Sequence, residues 1–251
     1  MSTKRKALTV EGLRVEVEGK EVIKELSLNI YAGERLALMG PNGSGKSSLS
    51  NALVGHPSYE ITQGRIYLNG EDITDLSVDK RAKLGLFLAM QYPVAIPGVS
   101  VANFLRSVIK AQRGKEVSIR EFRSELKNNM EFLEINKSFA SRYINDGFSG
   151  GERKKMELLQ MLMLKPRLAI IDEIDSGLDV DALKIVSNGI SGMCGPDNAM
   201  LLITHYRRIL DYVPQDRVCV MINGSIVETG GPELVDEIET KGYEWLQKKV
   251  A

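Results

Sequence analysis

The chain has 251 residues, of which 43% are apolar and 26% charged. This ordinary soluble composition excludes a disordered chain and fits one domain with an insertion, or two small domains. Lys plus Arg and Asp plus Glu each number 33, so the formal net charge is zero and a dedicated nucleic-acid binder is disfavoured. Two cysteines, Cys194 and Cys219, exclude a disulfide-stapled scaffold. They are also too few to hold an iron–sulfur cluster or a structural zinc unaided, since each takes about four ligands.

No apolar core of signal-peptide length follows the basic start at Lys4-Arg5-Lys6, and no run approaches the roughly 20 apolar residues of a membrane helix. The expectation is a cytoplasmic protein without direct membrane insertion. Strands are predicted at residues 8–17, 22–30 and 36–39, the last a short apolar run ending in glycine, followed by a helix from 46 to about 54. A strand at 65–68 closes on Asn69-Gly70, and a buried strand at 86–90 leads into Gln91. From 100 to 139 the period turns helical. Phe104, Val108 and Ala111 form one stripe; Phe122, Leu126, Met130 and Leu133 form another. Strands resume at 168–171, 199–203 and 218–222, with a helix over 180–193, and Asn223-Gly224 turns the chain into 226–229. The pattern is an α/β core, residues 1–91 and 166–251, with a helical insertion or subdomain at about 92–165.

Gly40, Pro41, Asn42, Gly43, Ser44, Gly45, Lys46 and Ser47 match G-x-x-x-x-G-K-[ST], followed by Ser48. The match falls between a buried strand and a helix, where backbone N–H groups and a helix N-terminus converge on phosphate oxygens. Lys46 is then expected to reach the β/γ-phosphates of a nucleotide such as ATP, and Ser47 to hold Mg²⁺. The apolar run at 168–171 ends in Asp172 and Glu173. Asp172 fits the Mg²⁺-side acid, and Glu173 is placed to take a proton from an attacking water. Ser149, Gly150, Gly151 and Glu152 open a helix and form a second anion nest. The same S-x-x-E spacing is also a plain capping box. One nucleotide hardly needs two nests from one chain, so a site shared between two chains is expected.

Together these motifs resemble the ATP-binding-cassette ATPases. The resemblance implies an ABC-type P-loop core with an antiparallel β layer and a helical subdomain. It also implies that Gln91 joins Mg²⁺ to the helical insertion and that Phe148–Glu152 acts as the signature motif across an ATP-dependent homodimer. Ser176-Gly-Leu-Asp179 would be the dimer-communicating loop, and His205 the switch histidine at the γ-phosphate. Aromatic stacking on adenine is missing, because Val17 stands where the family usually has a ring.

Three longer segments, 91–100, 172–183 and 204–212, together with Gly242-Tyr-Glu-Trp-Leu246, resemble a narrower family, the SufC-type soluble ATPases of SUF iron–sulfur cluster assembly. Transporter cassettes usually carry Pro-Thr after the catalytic glutamate, where this chain has Ile174-Asp175. The resemblance implies SufB- and SufD-like scaffold partners. The alternative is the nucleotide-binding subunit of a membrane transporter. A non-hydrolysing scaffold is disfavoured by Glu173 and His205, and a tandem cassette by the single P-loop.

Tyr92, Ile96 and Val99 are apolar on a loop stiffened by two prolines and are expected to face a partner; the alternative is that they cover the helical subdomain's own core. Arg153-Lys154-Lys155 reads as a solvated helix face, or with Lys154 paired to a site carboxylate. His56 reads as a loop histidine and Cys219 as buried packing; Cys194, beside Gly195-Pro196, reads as a turn residue.

Overall fold

The computed structural model describes residues 4–193 and 195–248, so Cys194 lies outside the described residues. A hairpin of β1 (Lys6–Val17) and β2 (Lys20–Tyr31) leads into β3 (Arg35–Met39) and α1 (Lys46–Val54). Next come β4 (Glu60–Leu68), β5 (Glu71–Asp72), α2 (Val78–Lys83) and β6 (Leu86–Ala89). The middle of the chain holds β7 (Ile96–Ser100), α3 (Val101–Arg113), α4 (Ile119–Phe132), a short β8 (Tyr143–Ile144) and α5 (Gly150–Leu164). The remainder is β9 (Leu168–Asp172), α6 (Val180–Met193), β10 (Ala199–Ile203), α7 (Arg207–Leu210), β11 (Arg217–Ile222), β12 (Ser225–Gly230), α8 (Glu233–Lys241) and α9 (Glu244–Gln247).

The strands form a six-stranded sheet in the order β12-β11-β3-β10-β9-β6, a four-stranded sheet β2-β1-β4-β5 and the pair β7-β8. In the larger sheet β11, β3, β10, β9 and β6 run parallel, and only β12 is antiparallel. The smaller sheet is antiparallel throughout. Strand alternation divides the core in two. Leu36, Leu38, Ile170, Leu201 and Ile203 pack with α1 and the antiparallel sheet. Ala37, Met39, Ile171, Met200 and Leu202 pack with the helices from α3 onward. The parallel strands are therefore covered on both faces, which is why they read as unbroken apolar runs.

β4 starts earlier than the apolar signal at 65–68, because its first half is polar and carries Gly64. Helix α3 presents a different face from the one the sequence suggests. Val101, Leu105 and Ile109 are its buried residues, while Phe104 is only partly buried. The α4 stripe of Phe122, Leu126, Met130 and Leu133 is buried as expected. Arg81 is a buried cation that ends α1. Its guanidinium donates to the carbonyls of Ala52 (2.8 Å), Leu53 (2.7 Å), Thr74 (2.8 Å) and Leu76 (2.8 Å). Among the described residues no helix is long and apolar enough to cross a membrane.

Candidate nucleotide site

Between β3 and α1 the chain makes a tight turn against β11. A Cβ on Gly40 would lie 2.2 Å from the Met221 carbonyl oxygen, so only glycine fits at this close approach. The Gly224 N–H donates to the Ser44 carbonyl at 2.8 Å and fastens the loop to the β11–β12 turn. Lys46 is buried, and its Nζ donates to the carbonyls of Gly40 (2.8 Å) and Pro41 (3.0 Å). An ammonium has three donors, so one remains for a phosphate oxygen. Burial pulls the Lys46 pKa down, opposed by the charges of Glu173 and Asp172. The N-terminus of α1 begins at Lys46 and adds the positive end of its dipole.

A cavity of about 380 Å³ lies at this turn. It is lined by Asn42, Gly43, Gly45, Lys46, Ser47 and Ser48, by Glu173, and by Lys20, Glu21, Val22 and Lys24 of β2 with the Asn223-Gly224 turn. Val17 is not among the lining residues; Val22 supplies the apolar side chain on the β2 side.

β9 ends on Asp172, which is buried. Ser50 Oγ donates to its Oδ2 at 3.1 Å, while Oδ1 is buried without a partner. Burial pushes this carboxyl up, and hydrogen bonds from Ser47 and Ser50 oppose the shift. An orphaned carboxylate oxygen beside a serine hydroxyl suits Mg²⁺, which takes few protein ligands and keeps water and phosphate oxygens. Among the described residues no cluster of three or more His, Cys, Asp or Glu could form an all-protein metal cage.

Glu173 follows with φ 48, a left-handed conformation uncommon outside glycine. Its N–H donates to the Ile203 carbonyl at 2.9 Å, so the strained turn is tied to β10. Gln91 Nε2 donates to Glu173 Oε2 at 2.7 Å, and His205 Nδ1 meets Oε1 at 3.2 Å. The fold thus brings together Lys46, Ser47, Asp172, Glu173, Gln91 and His205. Gln91 bonds the Glu173 carboxylate rather than Ser47 or Asp172.

Ser149 to Glu152 do not line this cavity. Ser149 Oγ accepts from the Glu152 N–H at 3.3 Å, and Glu152 Oε2 accepts from the Ser149 N–H at 2.7 Å, a reciprocal capping box. A Cβ on Gly150 would meet nothing within 4 Å, and one on Gly151 only Leu178 Cδ2 at 3.9 Å. Asp179 Oδ1 accepts from the Ala182 N–H at 2.8 Å and starts α6.

Some participants carry no local sequence signal. Ser50 is far in sequence from the Asp172 it supports. Asp175 is only 1% exposed and lies 3.3 Å from Thr204 Oγ1, next to His205. Lys154 is buried rather than solvated, and its Nζ donates to the Ser176 carbonyl. Burial pulls the Lys154 pKa down, partly offset by Asp175. His56 is exposed and Cys219 buried, as their sequence settings suggest.

Beyond Gln91, Tyr92 is 81% exposed, and Val94 and Ile96 are exposed as well, whereas Val99 is partly covered. Ile96 pairs with Ile144 in the β7–β8 ladder, and Asn145 Nδ2 donates to the Val94 carbonyl at 3.0 Å. Nearby, Phe104, Val108 and Ala111 line an apolar groove of about 580 Å³ with Leu86, Leu88 and Leu164.

The ABC transporter family model matches residues 23–176. Vegetative protein 296 of Bacillus subtilis is 52% identical, covering 97% of this chain and 94% of its own length. The solved ATP-binding subunit of an ABC transporter superposes with a TM-score of 0.80 at 22% identity, covering 98% of this chain and 100% of that one. A dimeric, post-hydrolysis ATP-binding cassette bound to ADP and phosphate superposes at 0.77 with 19% identity, covering 89% and 98%. The fold is that of these cassettes, and the protein belongs to the ABC transporter family as an ATP-binding cassette.

Proposed function

We propose that this cassette is the ATP-hydrolysing subunit of a cytoplasmic SUF-type iron–sulfur cluster assembly machinery, working with SufB- and SufD-like scaffold proteins. In this reading Lys46 and the backbone N–H groups of residues 40–48, Pro41 apart, bind the phosphates. Ser47 and Asp172 would hold Mg²⁺, with Gln91 beside them, and the ion would neutralise phosphate charge. Glu173 takes the proton of the attacking water, and His205 orients Glu173 while facing the γ-phosphate. Residues 92–165 act as the helical subdomain, and 1–91 with 166–251 as the catalytic core. Asp179 carries information between protomers.

The observation that carries the two-chain site is the open space at Gly150, beside a Gly151 where an added Cβ would meet only Leu178 Cδ2 at 3.9 Å. Helical glycine costs about 0.5–1 kcal/mol relative to alanine, and nothing among the described residues crowds an added Cβ there. A phosphate presented by a second protomer does. The SUF assignment is supported by Asp175, which occupies the position where this chain departs from transporter cassettes and is built into the site beside Thr204. The exposed Tyr92 and Ile96 and the neighbouring apolar groove suit a docked partner.

Pull-down from native extract with wild type and Tyr92→Ala/Ile96→Asp tests this reading. We expect capture of soluble SufB- and SufD-like proteins by wild type and their loss from the double variant, with ATP binding intact. Capture of an integral membrane protein would establish the transporter reading instead, which the family name favours.

A further inference from the structure

In α5 the residues flanking Glu157, Met156 and Leu158, are buried and apolar, and Glu157 itself is only 6% exposed. A carboxyl buried in such a row needs partners for its oxygens. Gln160 Nε2 donates to Oε1 at 2.7 Å. The Met90 N–H donates to Oε2 at 3.3 Å. Met90 is the residue between the end of β6 and Gln91, whose amide reaches Glu173. The helix that begins in the capping box at Ser149 therefore grips the backbone at the root of the Gln91 loop.

We propose that Glu157 is a positioning residue: anchored by Gln160, its carboxylate holds the Met90 amide and so sets where Gln91 stands against Glu173. This rests on the reading of Gln91 and Glu173 as parts of the hydrolytic site. Burial pushes the Glu157 carboxyl up to about 7, against the pull of the Met90 and Gln160 amides. The polar groups acting on it are the Gln160 amide on its own helix and the Met90 amide at the end of β6; no acid or base from α3, α4 or α6 contributes. Protonation removes the charge that strengthens the bond to Met90. Hydrolysis then rises with pH through an ionisation that belongs to Glu157, at unchanged nucleotide affinity.

The test uses the full chain, with kcat, KM and ATP affinity measured from about pH 5.5 to 8.5 for wild type and Glu157→Gln. A neutral amide keeps an acceptor oxygen but cannot titrate. We expect the ionisation near neutrality to vanish from the kcat profile and kcat above it to fall about fivefold, with KM and affinity unchanged. A merely structural role would lower thermal stability and leave the ionisation in place. A Glu157→Gln profile identical to wild type overturns the proposal. Should that variant fail to fold, the Met90 amide resonance of wild type decides. It must titrate with a midpoint near neutrality, and a pH-independent resonance overturns the proposal. Glu173→Gln is the control: full turnover there removes the hydrolytic reading, while the Met90 titration still reports whether Glu157 grips the loop.

Discussion

The turn before α1 and the turn before α5 both bring glycines to a helix N-terminus, yet they are built on opposite terms. At the first, the fold itself demands glycine, since a Cβ on Gly40 would strike the Met221 carbonyl oxygen at 2.2 Å, and Lys46 folds its ammonium onto the loop's own carbonyls. At the second, Gly150 has open space and the cap is closed locally by Glu152. The first nest is completed by contacts within the chain. The second satisfies its own capping groups and, among the described residues, leaves open space at Gly150.

The largest effect expected is at Glu173. Glu173→Gln should reduce kcat by about 10²–10⁴ with ATP binding retained, as single-turnover hydrolysis beside a binding isotherm would read, because the amide cannot take the water's proton. The glycines sharpen the contrast next. Gly40→Ala should destabilise the isolated chain by about 1–3 kcal/mol through overpacking. Gly151→Ala should stabilise the monomer by about 0.5–1 kcal/mol while removing ATP-driven dimerisation, read by denaturant melts and sedimentation. Equal losses of stability in both would erase the distinction drawn between the two turns. Lys46→Ala should weaken ATP binding by about 1.5–3 kcal/mol, measurable by calorimetry.

A smaller effect concerns pH. Burial raises the carboxyls of Glu157, Asp172 and Asp175 above their unfolded values. Between those values and the folded ones the native chain binds more protons than the unfolded chain, so stability falls as pH rises. For Glu157 that stabilisation is present below its unfolded value of 4.5 and is lost as pH climbs through about 7. Glu157→Gln should flatten this part of a stability–pH curve. The smallest effect expected is at the base: Val22→Tyr should tighten ATP by about 0.5–1.5 kcal/mol through stacking, and Val17→Tyr should not.

Much of this was legible from residue order. Short apolar runs, closed by Gly40 in one case and by Asp172-Glu173 in the other, mark β3 and β9, because strands covered on both faces carry few polar residues. The turn before α1 was legible because its chemistry is local. Helix α3 was not. It carries two apolar stripes one position apart, Phe104-Val108 and Leu105-Ile109, and periodicity alone does not say which faces inward. The β7–β8 pair joins residues far apart across two helices, with Pro97 and Gly98 inside the strand, so no short window announces it. The basic run around Lys154 fits either a solvated face or a pairing with a site carboxylate; the fold buries Lys154 and takes its ammonium to the Ser176 carbonyl. The clasp of Gln91 and His205 on Glu173 likewise joins three loops that meet only in the folded chain.

Arg81 gives the nucleotide site a mechanical footing. Its guanidinium grips the last carbonyls of α1 and two more from the following segment. A guanidinium stays charged at every pH the protein meets, and its planar fork cannot be reproduced by lysine. α1 is therefore a short rod anchored at its far end, while its near end opens the turn that carries Lys46. The C-terminal turn of α1 is thus spliced to the segment between β5 and α2, and fraying it would cost the Arg81 guanidinium two of its four carbonyl partners.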